Sequence, residues 1–381
     1  MKTVKLGLVG FGNMGSLHAK NVTGGRVPGM ELIAVADIDK EKRNEIKRLY
    51  PEVEVYENAE DMYDKADIDL VLIAVPHYAH TTLAIKAFSH GFNVITEKPA
   101  GVFAKQVMEM NAAAEKSGKI FGIMYNQRTN PCFQKIKHMI DSGEIGGIKR
   151  ISWVITDWYR PQAYHDSAAW RSKWATEGGG TLINQNPHQL DLWQWLFGMP
   201  DRLISFISYG RYHNIEVDDD LTTYMEYDNG VTGTYIASTG EWPGTNRLEI
   251  ACDMGRIVLE NWQLKFKKSE VSERVFEKTN KDPDAVPGLW ESEALLKDNW
   301  GEQHVGILKD FVKVFNGEKE QLLAPGYEGI KGLTISNAMH YSSWTHEMVD
   351  LNNFPHDDFY ARLKEKILNS SVNNTLPEEM K

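Results

Sequence analysis

The most constraining feature of this chain is a glycine pattern that directly follows an apolar strand. Residues 4–10 are typical of a buried strand, and helical residues follow the G-x-G-x-x-G sequence at 10–15. The first glycine permits a tight turn, the second lets backbone N–H groups approach a pyrophosphate, and the third lets helix and strand pack closely. The pattern predicts a dinucleotide site in a Rossmann unit, with these binding residues: Gly10, Gly12, Asn13, Met14 and Gly15.

A carboxylate follows at the distance where a bound dinucleotide presents its adenosine ribose. A second predicted strand, residues 31–36, ends at Asp37, and we expect Asp37 and Ile38 to contact the cofactor. A carboxylate at this position accepts hydrogen bonds from ribose hydroxyls and repels a 2′-phosphate. NAD is therefore favoured over NADP, although three basic residues between positions 40 and 43 weaken that preference.

Apolar strands alternate with helical segments through the first third of the chain. Strands are predicted over 68–75, 92–96 and 119–125, with helices over 79–89 and 103–117. Continuous apolar strands of this kind form a doubly wound parallel sheet covered on both faces, and ligands bind beyond its carboxyl edge. The cofactor residues expected near that edge are Val75, Pro76, His77, His80, Glu97, Lys98 and Asn126.

Composition excludes several other classes of protein. The 381 residues suggest about two domains, and a net charge of −11 argues against a nucleic-acid partner. No apolar run approaches the roughly 20 residues of a membrane span, and we expect no export signal. Cys132 and Cys252 are the only cysteines and show no metal-ligand spacing, so neither a disulfide framework nor a metal site is expected. The sequence predicts a cytoplasmic protein.

Five segments, in this order, resemble the Gfo/Idh/MocA oxidoreductase family, which includes glucose-fructose oxidoreductase and inositol dehydrogenase. They are GFGNMG at 10–15, AVPHYAH at 74–80, GFNVITEKP at 91–99, YNQR at 125–128 and EGGGTLINQNPH at 177–188. The resemblance implies an NAD-binding Rossmann domain over 1–127. It also implies an α+β domain over 128–381 with an open, mostly antiparallel sheet for substrate binding and oligomerisation. The last part of the chain is then expected to pack on the first domain, and a homodimer or homotetramer is expected.

Two hairpin patterns independently support the second domain. Residues 221–227 and 231–237 flank Asp228-Asn229-Gly230, and residues 247–252 and 256–260 flank a second turn. Alternating polarity around such turns is typical of antiparallel strands.

Three residues are candidates for the chemistry. Lys98 can polarise the reacting oxygen, and His188 can accept a proton near neutral pH. Both match the family's motif. Asn184 and His188 are spaced i and i+4, which predicts that they share one face of a single helix. Family members commonly carry an aspartate at the position of Asn184, so Asn184 is expected to bind a substrate hydroxyl instead. Asp191 is an alternative partner for His188, although a surface or intersubunit carboxylate is the favoured interpretation.

An aromatic segment precedes the catalytic motif. Trp158, Tyr159 and Tyr164 suit the C–H faces and hydroxyls of a polyhydroxylated substrate, although packing between domains explains any single one equally well. Arg128 and Arg160 are candidates for binding a phosphate or carboxylate, with solvent-facing roles as the alternative. The expected substrate-binding residues are thus Lys98, Arg128, Trp158, Tyr159, Tyr164, Asn184 and His188.

The function predicted from these features is NAD-dependent oxidation of a secondary hydroxyl of a sugar, sugar derivative or cyclitol, or the reverse reduction. The alternative is a non-catalytic NAD(P)-binding sensor on the same fold. The presence of both Lys98 and His188 favours the enzyme, because a sensor needs no proton relay.

Overall fold

A computed structural model describes residues 2–295, 300–370, 376–377 and 380. The first unit is built on six strands joined mainly by helices, as their alternating apolar and amphipathic segments require. The strands are β1 Val4–Val9, β2 Met30–Ala36, β3 Glu54–Tyr56, β4 Leu70–Ile73, β5 Asn93–Thr96 and β6 Phe121–Ile123. The helices are α1 Asn13–Thr23, α2 Lys40–Leu49, α3 Ala59–Lys65, α4 Ala79–Ser89 and α5 Ala104–Ser117.

The six strands form a parallel sheet in the order β3-β2-β1-β4-β5-β6. This is the Rossmann arrangement, with the change of strand order between β1 and β4. The predicted strands 68–75 and 119–125 are shorter than expected, because only Leu70–Ile73 and Phe121–Ile123 pair with neighbours. The predicted doubly wound sheet is confirmed, and it places the ends of β1, β4 and β5 side by side.

The second unit contains a nine-stranded sheet with the order β14-β13-β12-β11-β7-β10-β9-β8-β15. Its strands are β7 Ile148–Ile155, β8 Arg202–Tyr209, β9 Asp218–Glu226, β10 Thr232–Ser238, β11 Asn246–Cys252, β12 Gly255–Glu260, β13 Gln263–Ser269, β14 Leu289–Leu295 and β15 Val349–Asp350. Strands β7 and β10 pair in parallel, and the other described pairs are antiparallel. The expected open, mostly antiparallel sheet and both expected hairpins are therefore present.

The helices after β6 are α6 Pro131–Asp141, α7 Gln162–His165, α8 Pro187–Phe197, α9 Glu273–Thr279, α10 Gln303–Phe315, α11 Gly329–Thr345 and α12 His356–Leu368. Apolar residues of α6, α8, α11 and α12 share a hydrophobic core with this sheet. Apolar residues of α10, among them Leu308 and Phe311, belong to the core of the Rossmann unit. None of the described helices has the length and apolar content to cross a bilayer.

Candidate active site

The glycine loop after β1 has the shape that a pyrophosphate requires. Gly10 has φ +91°, and a Cβ on it would lie 2.4 Å from the carbonyl oxygen of Ala74. A Cβ on Gly15 would lie 2.0 Å from the carbonyl oxygen of Gly10, whereas one on Gly12 would meet no atom within 4 Å. Helix α1 begins at Asn13 with no side-chain cap, so the N–H groups of its first turn, next to Met14, remain available to phosphate oxygens.

Asp37 lies next to this loop, at the end of β2. Its Oδ2 accepts a hydrogen bond from the backbone N–H of Phe11 at 2.6 Å, and its Oδ1 accepts one from Asp39 at 2.8 Å. The side chain of Ile38 is 85% exposed, and Arg43 donates to the carbonyl oxygens of Asp37 and Ile38. The carboxylate thus joins the glycine loop to the edge where the adenosine half of a dinucleotide would lie.

The segment after β4 brings His77 into contact with the second unit. Val75 is half-buried and Pro76 exposed. The Nδ1 of His77 lies 2.9 Å from the carbonyl oxygen of Glu177, and burial lowers the pKa of His77 to about 3.

His80 differs from the expectation that it contacts the cofactor. Its ring nitrogens lie 2.7 Å from the carbonyl oxygens of Val75 and Pro99, and the residue is completely buried. Because both nitrogens contact the protein's own backbone, we assign His80 a structural role in holding the loops after β4 and β5 together.

Glu97, at the end of β5, is surrounded by groups that sequence reasoning did not assign to the site. The Nε2 of His18 lies 2.6 Å from its Oε1, and the ring of His304 packs against His18 at 5.5 Å. Burial acts to raise the pKa of Glu97, but the hydrogen bond from His18 and nearby positive charge lower it to about 2. His18 follows the glycine loop on α1, so its helical position is a usable signal. His304 lies on α10, and no pattern in the sequence indicates that it reaches this site.

Asn126 follows β6 at the same edge. Its Nδ2 donates to the Oε1 of Gln303 at 2.8 Å, and its Oδ1 is buried without a hydrogen-bond partner in the described structure. An unsatisfied buried acceptor is suited to a donor that arrives with a ligand, so Asn126 fits the expected cofactor contact.

Lys98 connects the two units. Its Nζ donates a hydrogen bond to the backbone carbonyl oxygen of Asn184 at 2.9 Å. Burial lowers the pKa of Lys98, and the carboxylates of Glu97 and Glu177 act in the opposite direction. An ammonium has three donors, so Lys98 keeps two for a ligand oxygen.

His188 lies in the first turn of α8 and is 6% exposed. Its ring is 6.4 Å from that of Tyr125, and its Nδ1 is buried with no hydrogen-bond partner in the described structure. Burial, and then the positive charge of Lys98, hold the pKa of His188 well below its ordinary value. The imidazole is therefore neutral near pH 7 and able to accept a proton.

The expectation that Asn184 and His188 share one regular helix is wrong. Thr181–Gln185 forms a π-helical turn, and α8 begins separately at Pro187, whose missing N–H interrupts the ladder of hydrogen bonds. The Nδ2 of Asn184 donates to the carboxylate of Glu177 and lies 3.5 Å from the hydroxyl of Tyr164. The amide therefore does not orient His188.

The three aromatic residues expected to bind substrate have different surroundings. The hydroxyl of Tyr164 also accepts hydrogen bonds from Arg171 at 2.8 Å and Gln185 at 3.1 Å, which places Tyr164 beside Asn184. Trp158 packs against the guanidinium of Arg160 at 5.4 Å, while Tyr159 is exposed next to Trp242. The structure thus brings Tyr164 to Lys98 through Asn184 and does not do so for Tyr159.

Arg128, an expected substrate residue, is bound by groups of the protein itself. Its guanidinium is 1% exposed, with Nε 2.9 Å and Nη2 2.6 Å from the carboxylate of Asp191. Its Nη1 lies 2.6 Å from the carboxylate of Glu328 and donates to a backbone carbonyl. The interpretation of Asp191 as a surface or intersubunit carboxylate is also wrong, because it is buried in this ion pair.

Sequence comparisons agree with this architecture. Residues 4–125 match the family model of an oxidoreductase family with an NAD-binding Rossmann fold, and residues 133–258 match the GFO/IDH/MocA C-terminal domain. The chain is 29% identical over 228 residues to scyllo-inositol 2-dehydrogenase (NADP(+)) IolW of Bacillus subtilis, covering 59% of this chain and 60% of the relative. It is 28% identical over 267 residues to scyllo-inositol 2-dehydrogenase (NAD(+)) of the same organism, covering 67% and 73%.

Among solved structures, the chain is similar to the WlbA dehydrogenase of Chromobacterium violaceum in complex with NADH and UDP-GlcNAcA. The TM-score is 0.80 and the identity 25%, with 92% of this chain and 96% of the other covered. The chain spans about half to three quarters of the length of the curated relatives it matches. The two domain models together cover about two thirds of the chain. The chain therefore belongs to the GFO/IDH/MocA oxidoreductase family, and its first unit is an NAD-binding Rossmann fold.

Proposed function

We propose that the protein oxidises a secondary hydroxyl of a sugar, sugar derivative or cyclitol to a ketone, with NAD as the acceptor, or catalyses the reverse reduction. One observation carries this proposal. A lysine ammonium and a neutral histidine lie together at the carboxyl edge of an NAD-binding sheet, with Lys98 held by Asn184 and its charge acting on His188. These are the two groups that an alcohol needs to lose a proton.

In the proposed reaction, His188 accepts the hydroxyl proton, and Lys98 donates a hydrogen bond to the same oxygen as negative charge develops on it. NAD, when bound, supplies the acceptor for the hydride that leaves the carbinol carbon. Glu97 and Asn126 lie beside these groups and would contact the cofactor, together with the glycine loop and Asp37. In the reverse direction, His188 returns the proton to the ketone oxygen.

The names of the relatives support a polyhydroxylated substrate and are compatible with either NAD or NADP as the cofactor. One Bacillus subtilis relative is named for NADP(+) and one for NAD(+), and both are scyllo-inositol dehydrogenases. We propose NAD for this chain, because the carboxylate of Asp37 lies where a 2′-phosphate would meet like charge.

We further propose a homodimer or homotetramer with a cytoplasmic location, and a domain boundary near residue 127. The open sheet face supports an oligomer, since it presents Phe206 at 66% exposure and Tyr224 at 37% on adjacent strands. Two free, buried cysteines, Cys132 and Cys252, suit a reducing compartment.

The test is an NAD-reduction screen over free sugars, sugar acids, sugar phosphates, glycosides and inositols. We expect at least one class to yield NADH. Lys98→Met and His188→Gln should each abolish turnover while NAD affinity, measured by calorimetry, is retained. Tight NAD binding without turnover of any compound would favour the sensor, and normal turnover in either variant would refute the assigned site.

A further inference from the structure

A second group of cations lies beside Lys98, on the segment between β7 and α8. The guanidinium carbons of Arg160 and Arg171 are each 4.5 Å from the centre of the Tyr164 ring. Tyr164 is tied to the site, because its hydroxyl lies 3.5 Å from the side chain of Asn184, whose carbonyl oxygen binds Lys98. The two arginines therefore border the place where the reacting hydroxyl would lie.

Arg160 and Arg171 are half-buried, and Nη1 of Arg171 donates a hydrogen bond to the hydroxyl of Tyr164. Within the described part of the chain, neither forms an ion pair with a carboxylate. The Nε atoms of Arg160 and Arg171 are both buried with no hydrogen-bond partner there. This contrasts with Arg128, whose guanidinium is bound by two carboxylates and a carbonyl. A partly buried cation is stabilised when a ligand supplies its counter-charge.

The nearby carboxylate does not supply it. Glu177 is buried and accepts hydrogen bonds from the backbone N–H of Ser172 and the amide of Asn184. Burial raises the pKa of Glu177 to about 7, so a large fraction of it is protonated at neutral pH. The cluster of Lys98, Arg160 and Arg171 thus keeps a net positive charge in a protein whose overall charge is −11.

Aromatic rings hold the two guanidinium groups in place. Trp158 lies 5.4 Å from that of Arg160, and Trp170 lies 4.6 Å from that of Arg171. Stacked guanidinium planes present fixed forks of N–H donors, a geometry that matches the oxygens of a carboxylate or phosphate. Neutral sugars gain much less from such donors.

We propose that Arg160 and Arg171 form an anion subsite beside Lys98, and that the substrate carries a carboxylate or phosphate group in addition to its reacting hydroxyl. The inference rests on the proposed oxidoreductase function and narrows its substrate class. It also explains the aromatic segment, since Trp158, Tyr164 and Trp170 hold the arginines.

The test compares matched substrates in the NAD-reduction assay. D-glucuronate and D-glucose 6-phosphate are each compared with D-glucose, and inositol phosphate with inositol. We expect kcat/KM for an anionic member to exceed that of its neutral parent by about tenfold or more. Arg171→Met and Arg160→Met should remove this preference, and raised salt should weaken it. Whether the carboxylate or the phosphate substrate has the higher kcat/KM identifies which anionic group the subsite binds.

The matched control is Arg211→Met, because Arg211 also packs on a tyrosine, Tyr212, but pairs with Asp220 elsewhere in the same domain. Binding of the same anions and of inorganic phosphate to the NAD-saturated protein is measured in parallel by calorimetry. Anion binding that Arg171→Met weakens upholds the subsite, even if no compound is oxidised and the proposed function fails. Equal kcat/KM for charged and neutral substrates, or anion binding unchanged in both arginine variants, would overturn it.

Discussion

The ammonium of Lys98 is positioned by the backbone of Asn184, through a hydrogen bond of 2.9 Å to its carbonyl oxygen. A carbonyl oxygen is present whatever side chain residue 184 carries. The side chain is therefore free for another role, and in this chain its amide binds Glu177. The contact to Lys98, the proposed catalytic residue, therefore does not depend on which side chain residue 184 carries.

Asn184→Asp is expected to reduce activity, although it introduces the residue that relatives commonly carry. Two adjacent carboxylates cannot both ionise at low cost, so the new charge opposes that of Glu177. We expect kcat/KM to fall about tenfold at pH 8 and less at pH 6. In the double variant with Glu177→Gln, an amide again faces a carboxylate, so activity should recover. If the decreases in kcat/KM caused by Asn184→Asp and by Glu177→Gln simply add in the double variant, the proposed interaction between the two side chains is contradicted.

Activity should remain constant down to an unusually low pH for a histidine base. Burial and the charge of Lys98 lower the pKa of His188, so it is neutral well below its ordinary value of about 6.5. The acid limb of kcat/KM should therefore lie well below pH 6.5. In Lys98→Met, loss of the positive charge should raise the pKa of His188, which an NMR titration would report. An acid limb at or above pH 6.5 in the native enzyme speaks against His188 as the base.

Glu177 predicts a pH dependence of stability. Its pKa is raised from 4.5 to about 7 in the folded protein, so the folded state binds more protons than the unfolded state between these values. The free energy of unfolding should therefore fall as pH rises from 4.5 through 7. Glu177→Gln removes the ionisation, and its urea midpoint should fall less over this range. Parallel curves for the two proteins would show that Glu177 is not the source.

Asp37→Ser should relax the choice of cofactor. The substitution removes the charge that repels a 2′-phosphate, and the guanidinium of Arg43, which donates to the carbonyl oxygens of Asp37 and Ile38, would remain to bind it. The ratio of kcat/KM for NAD to that for NADP is expected to fall by about a hundredfold. Asp39→Ser is the control, because Asp39 lies in the same loop and caps α2. An equal change in both variants would place the discrimination elsewhere.

The buried ion pair of Arg128 should matter for stability more than for substrate affinity. Arg128→Met leaves the buried Asp191 without its counter-charge, whereas Glu328 keeps Lys331, and should destabilise the protein by about 3–5 kcal/mol. Adding Asp191→Leu removes the unpaired charge and should restore part of the loss. Urea unfolding measures both effects. An Arg128→Met variant that is as stable as the native protein but has a strongly raised KM would instead support a role for Arg128 in substrate binding.

Local patterns were sufficient to place the proposed cofactor residues at one edge of the parallel sheet. The glycine loop, Asp37 and Lys98 each depend on a strand and the few residues after it, so their positions follow from the alternation of strands and helices. The break before His188 can also be predicted from the sequence, because Pro187 has no N–H to continue a helix. The i, i+4 spacing of Asn184 and His188 alone does not contain this information.

Contacts between distant segments could not be predicted in the same way. No residue type marks a backbone oxygen such as that of Asn184 as a ligand for lysine. Arg128 reaches Asp191 and Glu328 across three parts of the chain, and a single sequence gives no sign of such a pairing. His304 reaches the cofactor edge only because α10 returns to the first unit.

The packing of α10 on the first unit also affects how the protein folds during its synthesis on the ribosome. Leu308 and Phe311 complete the core of the Rossmann unit, and Lys2 is hydrogen-bonded to Asn316. The apolar core of the Rossmann unit is therefore incomplete until α10 has been synthesised. During translation, the nucleotide-binding unit exposes apolar surface until α10 leaves the exit tunnel, and exposed apolar surface of this kind favours aggregation and chaperone binding.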